Sequence, residues 1–298
     1  ISPGFTTRLS IANCMLSERK SVYNMDTHDP NLLKILSSDC RRQDDKLYCL
    51  TDEEITLYHP EFKSGINLVK RFFKKLPKFY EFLRVVFSPG LSCVRKLTPQ
   101  DAVSRVFKVD NRKDHIVVSV GSGTKRIGRG VINLDIYPLK NVDVVADIRK
   151  LPFKDGSLDM VVCEAVLEHV PEPDTVIKEI SRVVKPDGYV YVSVPFLYPF
   201  HASPDDYYRW SRNGLRQAFS EFEEVESGMR AGPMAALQGL LMHILAIPFS
   251  LGLKHLYIFW SQFFMVVLAP LKILDIFFSF SSKAHEVAAD IYFLGKKR

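Results

Sequence analysis

One rhythm constrains this chain more than any other feature. Between residues 99 and 229 short β-rich apolar runs alternate with helical patterns. The runs 115–120, 131–135, 142–146, 158–163 and 189–194 read as strands. Val176, Ile177, Ile180, Val183 and Val184 recur at helical spacing, which predicts an amphipathic helix over 175–184 with Asp174 placed to cap its start. Pro186-Asp187-Gly188 then turns the chain into the next strand. Strand, helix, strand in this order dictates an α/β fold, a mainly parallel, doubly wound sheet with helices on both faces.

Ligands of such sheets sit beyond the carboxyl ends of the strands. Three strand ends here carry suitable groups. The stretch "VSVGSGTKRIG" follows its strand with Gly121 and Gly123, whose missing Cβ atoms let the backbone turn sharply and approach a ligand. Asp135 ends the second strand, where a carboxylate accepts hydrogen bonds from both hydroxyls of a ribose. Asp147, in "VDVVADIRKLPF", follows the third and suits an exocyclic amine such as that of adenine. A glycine pair and two acids, each at a strand end, specify an adenosine-like ligand better than any one of them. A nicotinamide-dinucleotide site is disfavoured. It wants a third glycine opening a full helix and an acid about 20 residues on, whereas residue 126 is Arg and Asp135 follows Gly123 by twelve residues. No G-x-x-x-x-G-K-[ST] occurs, so a P-loop is excluded.

The stretches "INLDIYP" and "DVVADIRKLPFKDGSLDMVVCEAVLEHVPEPDTVIKEISRVVKPDGYVYVSVP" resemble class I S-adenosylmethionine-dependent methyltransferases of the type-11 group, over roughly residues 100–230 and the last strand. The resemblance implies a Rossmann-like methyltransferase sheet with S-adenosylmethionine as cofactor. It places Ser119, Gly121 and Gly123 along the methionine end, Asp135 and Ile136 at the ribose, and Asp147 and Ile148 beside the adenine. Glu164 falls near cofactor or acceptor. Glu168 and His169 belong to the "LEH" signature, to which the family gives a structural role. Two departures stand out: Ser119 replaces an acid, and the segment from Gly123 to Asp135 is short.

The segment "PFLYPFHASPDDYYRWS", residues 195–211, follows the fifth strand and resembles a subfamily motif P-x-H-x-x-P-x-D-Y-x-R. It would sit over the methyl group. His201 is the candidate base, and Asp206, Tyr207 and Arg209 are candidate acceptor-binding groups. The alternative is a packed lid of Tyr207, Tyr208 and Trp210 with His201 closing a turn.

The flanks differ in character. With 298 residues and 47% hydrophobic side chains the chain has ample material for a core. Residues 1–60 form a polar appendage in which "NLLKILSSDCRRQDDKLYCL" resembles a degenerate zinc-ribbon module. A structural zinc site needs four ligands. Only Cys40 and Cys49 stand here, so no metal is expected. Five widely spaced cysteines read as reduced thiols inside a cell. Residues 1–25 hold Arg8, Arg19 and Lys20 against Glu18 alone, a bias compatible with a remnant of a targeting segment.

Within the helical segment 61–98, residues 66–87 interleave Lys70, Arg71, Lys74, Lys75, Lys78 and Arg84 with aromatics. That pattern suits an anionic membrane surface, at about 1 kcal/mol per cation, a solvated basic helix face, or a single-stranded nucleic acid. The core, 99–230, is followed by an apolar insertion, 231–284, and then by the last strand within 285–298. No Asp, Glu, Lys or Arg occurs from Ala231 to Leu253, and a second apolar run spans Leu256–Leu271. Two helices lying in the membrane interface, two spans, or a packed helical subdomain all fit. A hairpin bent at the bilayer centre does not, because it would bury Lys254 at a cost of about 3 kcal/mol.

The expected function is transfer of a methyl group to a hydrophobic or lipid-linked small molecule at an anionic membrane surface, by an intracellular, membrane-associated enzyme. Two alternatives stay open: a non-catalytic membrane-associated protein with a degenerate methyltransferase fold, and an RNA methyltransferase, against which the apolar insertion argues.

Overall fold

A computed structural model describes residues 30–37, 40–43, 45–50, 87, 97–107, 115–202, 205–281 and 283–298. Residues 1–25 and the basic-aromatic segment up to residue 86 lie outside the described residues.

The described strands are β1 (Arg41–Gln43), β2 (Lys46–Tyr48), β3 (Val117–Val120), β4 (Val131–Asp135), β5 (Val144–Val145), β6 (Leu158–Glu164), β7 (Val184–Pro195), β8 (Phe222–Ala231) and β9 (Asp290–Lys297). They form one sheet in the order β1-β2-β5-β4-β3-β6-β7-β9-β8. The run from β5 to β7 is parallel, and β9 lies antiparallel between β7 and β8. Side chains alternate between two cores, as strand geometry requires. Val118, Val120, Val161 and Val192 face Val176, Ile177 and Ile180 of α3 (Pro173–Val183). Val117, Val162 and Tyr191 face Ala102 and Val103 of α2 (Pro99–Val106). Thr98 and Asp101 close a reciprocal capping box at the start of α2.

Several sequence expectations need correction. Pro173 opens α3, so the cap position falls to Glu172 and Asp174 lies in the first turn; Val184 already belongs to β7. The described part of residues 1–60 is not a separate module. β2 pairs in parallel with β5, and Leu32 of α1 (Pro30–Ile35) is buried in the main core. Cys40 and Cys49 are not reduced thiols. The β1–β2 hairpin brings their Cα atoms to 4.4 Å and they form a disulfide, while Cys163 is a buried free cysteine.

α4 (Arg212–Ala218) precedes β8, and the apolar zone leaves the sheet after β8 and returns to it at β9, as expected. α5 (Pro233–Phe249) and α6 (Lys254–Leu268) form a hairpin about a bend in which Leu251 and Gly252 both take positive φ. A 3-10 turn (Ala269–Leu274) and α7 (Asp275–Phe278) follow. The buried Asp275 accepts from the main-chain N–H of Met234 and so anchors this arm to the start of α5. By length and composition the helical run Lys254–Phe278 could cross a membrane.

Candidate functional site

The register brings the chemistry to one edge. Asp135 and Glu164 end β4 and β6, and the Gly121–Gly123 turn follows β3. Pro195, at the end of β7, pairs with Asp290 at the start of β9, and Asp290 pairs with Ala231 at the end of β8. Residue 201, the candidate base, lies on the loop that leaves this same edge.

Two glycines with one backbone conformation do different work. Gly121 (φ +58°) lies so close to Val166 that a Cβ would come within 2.5 Å of a Val166 methyl. Gly123 (φ +56°) has nothing within 4 Å of that position. The first packs the turn against the protein and the second leaves room in front of it. Between them the Ser122 hydroxyl is buried without a hydrogen-bond partner among the described residues. The Asp135 carboxylate accepts from the Gly123 N–H at 2.8 Å and the Tyr137 N–H at 3.0 Å. Burial pushes this carboxyl above its ordinary value, against the pull of the main-chain N–H groups of Tyr137, Gly123 and Ile136.

The short segment between Gly123 and Asp135 is braced by side chains in place of a helix. Arg126, which stands where a third glycine is common, turns its guanidinium back onto Asp143 (2.7 Å), the Val131 carbonyl (2.9 Å) and the Asn141 carbonyl (3.1 Å). The fully buried Asn133 amide donates to the Lys125 and Asn141 carbonyls. The turn is thus a shortened cradle held from behind. Ser119 is buried in β3, behind the glycine turn.

Glu164 joins two cations, Lys125 at 3.1 Å and Arg230 at 2.8 Å. Burial raises its carboxyl, but Lys125 and Arg230 outweigh that and hold it below the ordinary value. Arg230 is 4% exposed, and its Nε and Nη1 have no hydrogen-bond partner among the described residues. Sequence reasoning missed this residue, because four of the ten residues of "FEEVESGMRA" are charged and the stretch does not read as a strand. Asp147 sits in the loop after β5, with its carboxylate on the Arg149 main chain (2.8 Å) and guanidinium (2.7 Å). Ile136 and Ile148 are half-buried beside these acids.

The loop after β7 knots itself. Asp206 receives the His201 N–H at 2.8 Å and pairs with Arg209. Arg209 also donates to the Tyr198, Pro199 and Tyr208 carbonyls, so its guanidinium is engaged within the loop. Tyr207 is exposed and its N–H holds the Glu168 carbonyl at 2.7 Å. Burial lowers the His201 imidazolium, but Glu168, the Pro199 carbonyl and Asp206 together raise it above the ordinary histidine value. Nearby, burial pushes the Asp290 carboxyl up to about 7, although Arg230 pulls against it.

Known proteins match part of this chain. A methyltransferase-domain family model matches residues 100–192. An uncharacterized chloroplastic methyltransferase of Arabidopsis thaliana is 46% identical over 67 residues, which is 22% of this chain and 19% of that protein. The ubiquinone/menaquinone biosynthesis C-methyltransferase of Brucella suis is 29% identical over 151 residues, 41% of this chain and 54% of that one. The match thus spans about half, or much less, of these relatives. Among solved structures, a Burkholderia thailandensis 1,6-didemethyltoxoflavin-N1-methyltransferase covers 87% of this chain and 93% of its own, at 11% identity and a TM-score of 0.42. Residues 100–192 thus carry an S-adenosylmethionine-dependent methyltransferase domain of the type-11 group.

Proposed function

We propose that this protein transfers the methyl group of S-adenosylmethionine to a hydrophobic or lipid-linked small molecule at a membrane surface. One observation carries the reading. The apolar hairpin is rooted at Ala231 and Asp290, which pair with each other and lie on the edge that holds Asp135, Glu164 and the glycine turn. Outward side chains of the hairpin and of α7 remain exposed: Ile247 at 61%, Phe259 at 60% and Phe277 at 72%. An apolar face of this extent is one that water alone does not cover in a stable monomer. A hydrophobic acceptor partitioned in the interface would meet the cofactor edge directly. The Brucella suis relative, named for ubiquinone and menaquinone biosynthesis, supports a small-molecule acceptor.

The residues fit the cofactor. The space in front of Gly123, the unpartnered Ser122 hydroxyl and the oriented Asp135 carboxylate offer room, a polar contact and a ribose acceptor. Lys125 and Glu164 frame the methionine end. Asp147, with Ile136 and Ile148, flanks the adenine end, sharing its carboxylate with Arg149. When bound, the sulfonium supplies an electrophilic methyl group. The protein orients the acceptor, excludes water and takes up the acceptor's proton. His201, on the post-β7 loop, is the base for an O–H acceptor. Asp206 and Arg209 shape that loop, and Tyr207 stands at its exposed rim.

Titration calorimetry with S-adenosylmethionine, paired with flotation on anionic liposomes, tests the reading. Saturable cofactor binding and co-flotation are expected. Absence of binding at millimolar cofactor would favour the non-catalytic alternative, and a protein left wholly in the soluble fraction would remove the membrane from the account.

A further inference from the structure

Glu168 is the most conspicuous unsatisfied group among the described residues. Its side chain is fully buried, at 0% exposure, and neither carboxylate oxygen has a hydrogen-bond partner. A buried carboxylate without hydrogen bonds is costly and calls for a partner. Two imidazoles face it: His169 Nε2 and His201 Nε2 each lie 3.8 Å from Glu168 Oε1. That is too far for an N–H···O hydrogen bond. All three ligand-type atoms lie within 4.8 Å of one another.

The far nitrogens of both rings are already committed. His169 Nδ1 lies 2.5 Å from the Asp205 main-chain carbonyl. His201 Nδ1 lies 3.2 Å from the Pro199 carbonyl and 3.3 Å from Asp206. Carbonyl oxygens only accept, so each Nδ1 carries a proton. In the neutral ring that leaves a lone pair on each Nε2, aimed at the carboxylate. Carbonyl or carboxylate groups behind a ring in this way are what orient metal-ligating histidines.

We infer that Glu168, His169 and His201 form a binding site for a divalent transition-metal ion of the zinc class. Two imidazole nitrogens and one carboxylate oxygen are a complete protein ligand set for such an ion and leave a coordination position for an oxygen ligand. Ligand bonds of about 2.0–2.2 Å set the donor atoms roughly 3–3.5 Å apart. The two 3.8 Å spacings to Glu168 need to close only slightly, and the two imidazole nitrogens, within 4.8 Å of each other, close further by rotation of the rings. The ion supplies the direct partner that the Glu168 carboxylate, without a hydrogen bond, lacks. Resting on the methyltransferase reading, the site lies on the acceptor side, where the open position suits an acceptor oxygen. It also claims the same His201 Nε2 that the base role requires, so base and ligand are alternatives for one atom.

The test uses the full chain, stripped with a chelator and titrated with Co2+, whose visible absorption reports coordination, and then with Zn2+ by calorimetry. One equivalent of Co2+ with ligand-field bands displaced by Zn2+ is expected. Binding should weaken by about 100-fold in Glu168→Gln and at least about tenfold in His169→Gln and His201→Gln. Should the buried Glu168→Gln variant fail to fold, the two histidine variants carry the test, with S-adenosylmethionine calorimetry as their folding control. No Co2+ or Zn2+ binding at millimolar ion, or binding unchanged in both histidine variants, overturns the inference. If cofactor binding survives that result, the methyltransferase reading stands with His201 as base. Loss of cofactor binding in the unmodified chain with the Co2+ spectrum intact would strike the methyltransferase reading and leave the metal site.

Discussion

The sheet and the α5–α6 hairpin are built from similar apolar residues that meet different surroundings. In the sheet, Val118, Val161, Val190 and Phe293 are sealed by helices of the same chain. In the hairpin, Ile244, Ile247, Phe259 and Phe263 point outward, and the small buried residues Ala235, Ala236 and Gly239 lie inward. The lesson is one of completeness. The sheet carries both halves of its own interface, whereas the hairpin carries one half, and on the proposed reading an apolar phase supplies the other. The polar groups divide similarly. Asp135 is satisfied by its own turn, while Glu168 is buried and left without a hydrogen bond.

The sharpest way to break this contrast is in the sheet. Gly121→Val adds a side chain at φ +58° and within 2.5 Å of Val166, and is expected to cost about 3 kcal/mol or more in urea unfolding and to abolish cofactor binding. Gly123→Ala has the same backbone strain but open space, so stability should fall by about 1 kcal/mol while cofactor affinity drops. Equal unfolding midpoints for the two would refute the packing distinction.

A smaller effect is expected at Asp135. Removing the carboxylate in Asp135→Ala should weaken S-adenosylmethionine by about 2 kcal/mol, roughly thirtyfold, by loss of charge-assisted hydrogen bonds. Calorimetry reads this directly, and undiminished affinity would reassign the residue to the turn alone.

The hairpin should respond in the opposite sense. Phe259→Asp is expected to reduce liposome binding by about 2 kcal/mol, again roughly thirtyfold, and to leave the melting temperature nearly unchanged, because the ring is exposed. Val225→Asp, at an equally apolar and exposed position on β8, should leave flotation unchanged. Equal losses in both variants would mean that the hairpin is not the docking face.

The smallest effect concerns pH. Asp290 is pushed up to about 7, so the folded chain holds a proton there that the unfolded chain releases near the ordinary aspartate value. Stability should therefore decline as pH rises from about 4 to about 7 and level off above. Asp290→Asn should flatten that slope in urea melts at stepped pH. An unchanged slope would move its origin to another group.

Much of the sheet was legible in the sequence because its central strands are apolar runs ended by a turn or an acid. β4, at 131–135, matches residue for residue, and β9 returns after the insertion as its composition suggested. β8 was hidden. It is an edge strand whose outer face needs no apolar residues, and Arg230 was hidden with it. Asp174 looked like a helix cap, but Pro173 starts the helix one residue earlier. The shortness of the segment from Gly123 to Asp135 was legible, but not its bracing by Arg126 and Asn133. Glu168 and His201 lie far apart in sequence and meet only because the loop after β7 folds back on itself. No spacing rule could pair them.

The most direct test of the central claim is transfer of a labelled methyl group from S-adenosylmethionine into membrane extract, with Gly121→Val as the blank. The account predicts label in the organic-extractable fraction, dependent on the unmodified protein and reduced in Phe259→Asp. Label confined to water-soluble or nucleic-acid fractions, or no transfer by a chain that demonstrably binds the cofactor, would contradict it.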